Sequence, residues 1–257
     1  MKSRALLNLM YIHDTQDKEI PVELMEHIRN VAVEDPDNSA LLFAGYFLSK
    51  NKIQNAQEVL DISSGNTNQD LLRQIIQEEA KHTVNPERYK SLLWRLVYRT
   101  KKEKYEQYLA WFLLGIEDIE GLSSLVEHSR STHGEKAWVQ FYQAVVHRYW
   151  QNYEKAAKLF KTAFSEKTHW EYLYNAAINY NAINNINGAL EELKTAQSVV
   201  STGTDANAVI SAEQIELLIQ NGRYSEARSR LAVFENRFPE NMNVGLLRSL
   251  LEARAGD

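Results

Sequence analysis

The chain reads as an all-α protein of stacked helix pairs, and three features of the sequence point there. It holds only 10 glycines and 4 prolines in 257 residues, too few to turn the many strands of a β fold. One phrase recurs, as "WQNYEKAAKLFKTAF" (150–164), "NNINGALEELKTAQ" (184–197) and "QNGRYSEARSRLAVF" (220–234). Each copy has a polar start, then Tyr or Ile, an alanine three residues on, and a large apolar residue four beyond that. Finally, a small residue such as Ala144 or Ala177 stands twelve positions before the anchoring alanine. Antiparallel helices approach closely where small side chains face each other, and the large residue fills the groove towards the next pair. One pair cannot bury its apolar faces alone, so neighbours must stack.

The elements follow in order. The opening "MKSRALLNLMYIHDTQDKE" has Lys2 and Arg4 before an apolar stretch, but Asn8 breaks it, charges end it and no small-residue cleavage site follows. It reads as an amphipathic helix rather than a signal peptide. Pro36 in "EDPDN" closes the first repeat, 5–37, because proline cannot continue a helix. Repeat 38–69 carries Ala44 and Phe47, then Ala56 and Leu60. Repeat 70–102 takes its second helix from "NPERYKSLLWRLVYRT", with Tyr89 and Leu93 in phase. Repeat 103–136 has Ala110 and Leu113, then Leu122 and Val126 in "EDIEGLSSLVEH". Repeat 137–169 has Ala144 and His147, then Ala156 and Phe160. Repeat 170–207 has Ala177 and Tyr180, then Ala189 and Leu193.

In 208–241, Ile215 replaces the small residue, with Leu218, Ala227 and Leu231 following, and Pro239 in "RFPEN" marks the exit. Anchors step by 34 residues from Leu122 to Ala156 and by 33 to Ala189; the 38 to Ala227 absorb a loop insertion at "STGTD". From Ala56 to Leu122 the 66 residues make two steps. A final helix, 242–255, places Leu246, Leu247, Leu250 and Leu251 at helical spacing, to dock on the last repeat or on a further one. The expectation is a single solenoid over 1–257.

These residues resemble the tetratricopeptide repeat (TPR) family, whose unit is a helix-turn-helix of about 34 residues with small residues at fixed places and proline at the end. The resemblance is strong over 138–241 and weaker over 38–62; 1–35 and 69–134 follow by register. The tryptophan and glycine of the family's first helix are missing, with Gln140 and Ala144 in one copy and Leu173 and Ala177 in the next. The resemblance implies about seven repeats coiled into a right-handed α-solenoid superhelix.

Catalytic groups are sparse. The absence of cysteine rules out disulfides, thiolate metal sites and a cysteine nucleophile. There is no phosphate-binding glycine loop, no HExxH and no nucleophile elbow. His128 and His133 read as surface residues across an inter-repeat turn rather than metal ligands. His147 replaces a family aromatic and reads as a core histidine with one satisfied nitrogen. The pairs Glu78–Glu79 and Glu191–Glu192 read as helix surface rather than an acid/base dyad. No enzyme activity, cofactor or metal is expected. The net charge of −5 argues against duplex binding, so no nucleic-acid partner is expected, and "RTKKEK" (99–104) reads as a solvated inter-helix corner. No stretch of about 18 apolar residues forms a membrane span. Cytoplasmic placement is expected, or periplasmic if the chain belongs to a longer secreted or membrane protein. The missing cysteine is the one pointer to a bacterial origin.

Aromatic residues are unevenly spread: all five tryptophans fall between Trp94 and Trp170. The family resemblance implies a concave wall lined by first helices. Its ligand-facing positions would be Gln107, Tyr108 and Trp111, then Phe141, Tyr142, Val145 and Arg148, then Tyr174, Asn175 and Ile178. Asn175 in "YNAAINY" matches an asparagine that family members use to hold a peptide backbone, a task suited to an amide that both donates and accepts. Phe141 and Tyr174 stand where chaperone-tail binders of the family carry lysine, leaving Arg148 as the central cation. A carboxylate clamp is therefore not expected, and an aromatic groove for an extended or helical apolar segment fits better.

The leading expectation is a non-enzymatic protein–protein interaction scaffold for a protein or peptide partner. The alternatives are a stretch of a longer TPR protein serving as assembly subunit of a bacterial secretion or envelope apparatus such as polysaccharide export, and a peptide-responsive regulator. Repeat ends could also join copies into a homo-oligomer.

Overall fold

The computed structural model describes residues 20–34, 52–61 and 85–256, together with 5–7, 9–10, 43–44, 46–47, 50, 71–72, 74–75 and 78–79. Among the described residues there is no strand. The protein is all-α.

The chain divides into two compact units, Met1–Ile116 and Glu117–Asp257. In the first lie α1 (Val22–Glu34), α2 (Ile53–Asp61), α3 (Pro86–Thr100) and α4 (Glu103–Gly115). The second holds α5 (Ile119–His133), α6 (Ala137–Tyr149), α7 (Tyr153–Glu166), α8 (Trp170–Ala182), α9 (Ile186–Ser198), α10 (Asp205–Gln220), α11 (Tyr224–Arg237) and α12 (Asn243–Ala255).

In the first unit, Leu24, Met25, Ile28 and Ala32 of α1 share a core with Phe43, Phe47, Ala56 and Val59. The pair α3–α4 packs through Leu92, Leu93, Leu96 and Val97 on one side and Leu109, Ala110 and Leu113 on the other. Helix α3 starts sharply: Pro86 occupies its first turn, where the missing N–H costs nothing, and the Asn85 side chain accepts from Arg88 N at 3.1 Å. Pro36 and the side chain of Leu60 lie outside the described residues.

In the second unit each helix packs on the next from α5 to α12. The small residues sit where the sequence places them: Ala144, Ala156 and Ala189 are 0% exposed, and Ala177 is 1% exposed. Phe160 and Leu193 are equally buried. Leu173, Ala177, Ala189, Leu193, Ile210 and Leu217 form one core across α8, α9 and α10. Leu247 and Leu251 of α12 close the next one against α10 and α11, while Leu246 faces solvent.

The turns repeat as strictly as the alanines. Gln151, Asn184 and Gly222 each take a left-handed conformation, with φ of 61°, 59° and 70°. Just after each, the N–H of Asn152, Asn185 and Arg223 donates to the carbonyl of His147, Tyr180 and Leu218 at 2.8–2.9 Å. Lys52 N makes the same bond to Phe47 O at 2.8 Å. This six-residue closure satisfies carbonyls that a helix end leaves unpaired. The acceptors are the residues three places after the small positions, so one register sets both helix contact and turn.

Two glycines explain the following helix starts. The Asp118 side chain accepts from Gly121 N at 2.8 Å, and that of Asn185 from Gly188 N at 3.1 Å. A Cβ on either glycine would lie 2.6 or 2.7 Å from the capping side chain. The insertion at "STGTD" is a loop between α9 and α10, ended by Thr204, whose hydroxyl caps Asn207 N at 3.3 Å.

Two acidic residues expected on the surface are buried. Glu78 (1% exposed) meets Arg88 at 3.3 Å and accepts from Asn85 N, and Glu192 (6%) meets Lys161 at 2.6 Å. Burying a carboxylate is costly unless its charge is matched, and neither spacing nor helical phase revealed those cations. Glu191 is exposed as expected.

The alanine contacts give a direct test. Ala156→Leu is expected to lose about 1–3 kcal/mol by overpacking, whereas Lys158→Leu, at a position 67% exposed, should be near neutral. Urea midpoints of the two variants check this; equal midpoints would mean that Ala156 is not at a helix contact.

Candidate partner-binding site

The first helices of successive repeats in the second unit are α6, α8 and α10, and side chains tie them in a row. Arg148 Nη1 of α6 donates to Asn175 Oδ1 of α8 at 3.1 Å. One residue before Asn175, the Tyr174 hydroxyl donates to Glu213 Oε2 of α10 at 3.0 Å. Asn175 Nδ2 also donates to Glu171 O at 2.8 Å, one turn back. These groups are half-buried, so their bonds hold them in place while leaving an accessible side.

The aromatics of this unit divide into two kinds. Phe141 is mainly a packing residue: its ring lies 5.5 Å from Phe160 of α7 and 5.5 Å from Tyr172 of α8. Tyr142 stands against Trp138 and Phe141, edge to face, and burial raises its phenol pKa. Trp170, against Tyr174 at 5.8 Å, packs on the core of α8 and α9. Ile178 is half-buried on the same helix. Val145 was expected on the ligand-facing wall, but it is 2% exposed. It lies one position round from Ala144 on the packed side of α6, so it supports the wall from behind.

Tyr108 and Trp111 belong to the first unit, on α4. Their rings stack at 6.1 Å, and Trp111 is 64% exposed. The Tyr108 hydroxyl donates to Glu79 Oε1 at 2.6 Å and lies 2.7 Å from the Tyr89 hydroxyl, which also bonds Glu79. Burial and then the bond to Glu79 push the Tyr108 phenol up to about 12. Gln107 is exposed beside it. Thus α6 and α8 bring Tyr142, Arg148, Tyr174, Asn175 and Ile178 onto neighbouring helices of one unit, and α4 carries an aromatic pair in the other.

Glu213 is the site residue that sequence reading missed. Burial raises its pKa, the bond from Tyr174 works in the opposite direction, and the Glu216 charge raises it further. No motif marks it; only its place one repeat after Tyr174 could have drawn attention. His147 is half-buried with its ring edge-on to Trp150, and its Nδ1 is buried without a hydrogen-bond partner, so the expected satisfied nitrogen is not Nδ1. Burial and then Lys155 lower its pKa. Among the described residues no group of three or more His, Asp or Glu could hold a metal ion, and no helix is long and apolar enough to cross a membrane.

With this geometry, the solved structures that resemble the chain form a consistent set. A tetratricopeptide repeat protein from Parabacteroides merdae superposes over 99% of this chain and 99% of its own, with a TM-score of 0.54 and 13% identity. The chain folds as a tetratricopeptide repeat protein. PilF of Pseudomonas aeruginosa matches over 88% of this chain and 98% of its own, at a TM-score of 0.58 and 10% identity. MamA from Desulfovibrio magneticus, from residue 41 on, matches over 70% of this chain and 99% of its own, at 0.57 and 8%. No protein-family model and no curated protein matches the sequence.

Glu213 yields a pH prediction for the TPR wall. A carboxyl whose folded pKa is raised stabilises the fold most below its unfolded pKa and loses that contribution as pH rises through the folded value. Glu213→Gln keeps an acceptor for Tyr174 and removes the buried charge. It should raise the denaturant midpoint at about pH 7, with the gain vanishing near about pH 3, well below the unfolded carboxyl's value of about 4.3, where the group is protonated in both states. A gain that persists at the lower pH would contradict the assignment.

Proposed function

We propose that the chain is a non-enzymatic protein-interaction scaffold that takes a partner segment along α6, α8 and α10. The observation that carries this reading is the pair of inter-helix bonds, Arg148–Asn175 at 3.1 Å and Tyr174–Glu213 at 3.0 Å. They align donors and acceptors from three successive first helices on one row, and they fix those groups before any partner arrives. Binding then costs little side-chain ordering, which is where much affinity is otherwise lost. Tyr142, Tyr174 and Ile178 supply apolar area around the row, and the Asn175 amide keeps one N–H and one lone pair for a peptide unit. The partner is therefore an extended or helical segment with apolar side chains, held by its backbone at Asn175. The TPR fold supports the reading, since its stacked repeats create extended concave surfaces.

The test uses a protein partner captured by the immobilised full chain and identified by mass. Tyr142→Ala and Asn175→Ala should each weaken its binding by about 2 kcal/mol or more, with the helical signal and the melting temperature almost unchanged. Lys158→Ala, on a second helix, should bind as the parent does. The opposite pattern, with Lys158→Ala defective and both wall variants intact, would place binding on the outer helices.

A further inference from the structure

The segment 88–104 reverses the charge of the chain. It holds seven lysines and arginines against the single carboxylate of Glu103, in a protein of net charge −5. The structure shows how these cations are arranged. Trp94 and Tyr98, one turn apart on α3, stack at 5.3 Å with their planes 23° apart. Tyr98 is 57% exposed. Arg95 and Arg99 follow them by one residue each, about 100° round the helix, and both are exposed. Lys101, in a left-handed conformation at φ 49°, ends α3 and leads into Lys102 and Lys104. Lys104 sits over the Tyr105 ring at 4.8 Å, and burial followed by the Lys102 charge lowers its pKa. Arg88 and Lys90 are matched by Glu78 and Glu87, whereas Arg95, Lys101 and Lys102 have no carboxylate partner among the described residues.

A solvated helix corner would account for the lysines. It does not account for a stacked, half-open aromatic pair running beside them. We propose that the exposed face of α3 and the corner that follows bind single-stranded nucleic acid, with bases stacking on Trp94 and Tyr98 and phosphates meeting Arg95, Lys101 and Lys102. The aromatic faces accept any unpaired base, and the cations track the backbone. A duplex keeps its bases stacked on each other and offers these rings nothing. An acidic peptide would satisfy the charges and leave the aromatic pair unused. The local clustering also explains how an acidic chain could hold phosphates, since affinity follows the cations at the contact. This surface lies in the first unit and does not depend on the wall formed by α6, α8 and α10.

Fluorescence anisotropy of a labelled oligothymidylate of about 15 nucleotides with the full chain tests the proposal. Binding is expected to fall with salt at a log–log slope of about −2, as three neutralised phosphates give for a single strand. The double change Lys101→Glu and Lys102→Glu should remove most of that salt dependence. Tyr98→Ala should weaken binding by about tenfold or more at an unchanged slope, with circular dichroism confirming intact helices. Trp94 fluorescence should be quenched by the strand. The proposal is overturned if the oligonucleotide fails to bind at low salt, if a duplex or polyglutamate competes equally well, or if the variants bind as the parent does.

Discussion

The close approach of two helices at an alanine contact is the constraint from which the second unit follows. Ala144 and Ala156 are both fully buried on adjoining helices, and the same holds within each percent for Ala177 and Ala189. A larger side chain at either place would push the axes apart, and the displacement would propagate, because each helix packs on the next. The six-residue turn closure depends on the same register, since its acceptors are His147, Tyr180 and Leu218. The contact is therefore local in origin and cumulative in effect, as expected of an array whose stability is a sum of neighbour terms.

A consequence of this regularity is that a row of first helices comes into being without any residue dedicated to shaping it. Arg148, Asn175, Tyr174 and Glu213 meet because their helices are successive copies of one placement. On the proposed function, specificity would reside in which side chains occupy the row. In this chain they are an arginine held by an amide, a tyrosine held by a half-buried carboxylate, and apolar neighbours on either side. Phe141, by contrast, packs α6 against Phe160 of α7 and Tyr172 of α8.

Much of the fold was legible in the sequence because helix packing is written in periodic small and large residues. The anchors from Leu122 to Leu231 lie buried as their spacing predicts, Pro239 stands just past the end of α11, and "STGTD" leads from α9 into α10. The site was less legible. Whether Val145 faces outward depends on a rotation of one residue, about 100°, which periodicity alone does not resolve. Glu78 and Glu192 looked like surface carboxylates because their burial depends on Arg88 and Lys161 reaching them from other helices, a long-range match with no sequence signature. Glu213 escaped notice for the same reason: its partner Tyr174 is 39 residues away. The asparagine at 175 was picked out by its match to the asparagine of the resembled family, but its bond to Arg148, 27 residues away, has no sequence signature.

The central claim is that α6 and α8 present residues 148 and 175 to each other on one wall. The chain contains no cysteine, so a paired variant, Arg148→Cys with Asn175→Cys, can be probed without background. A short bis-maleimide should join the two within the folded monomer much faster than in a control pair, Arg148→Cys with Lys194→Cys, whose second site lies exposed on α9. Equal rates, or faster joining of the control pair, would contradict the side-by-side arrangement of the first helices and with it the proposed wall.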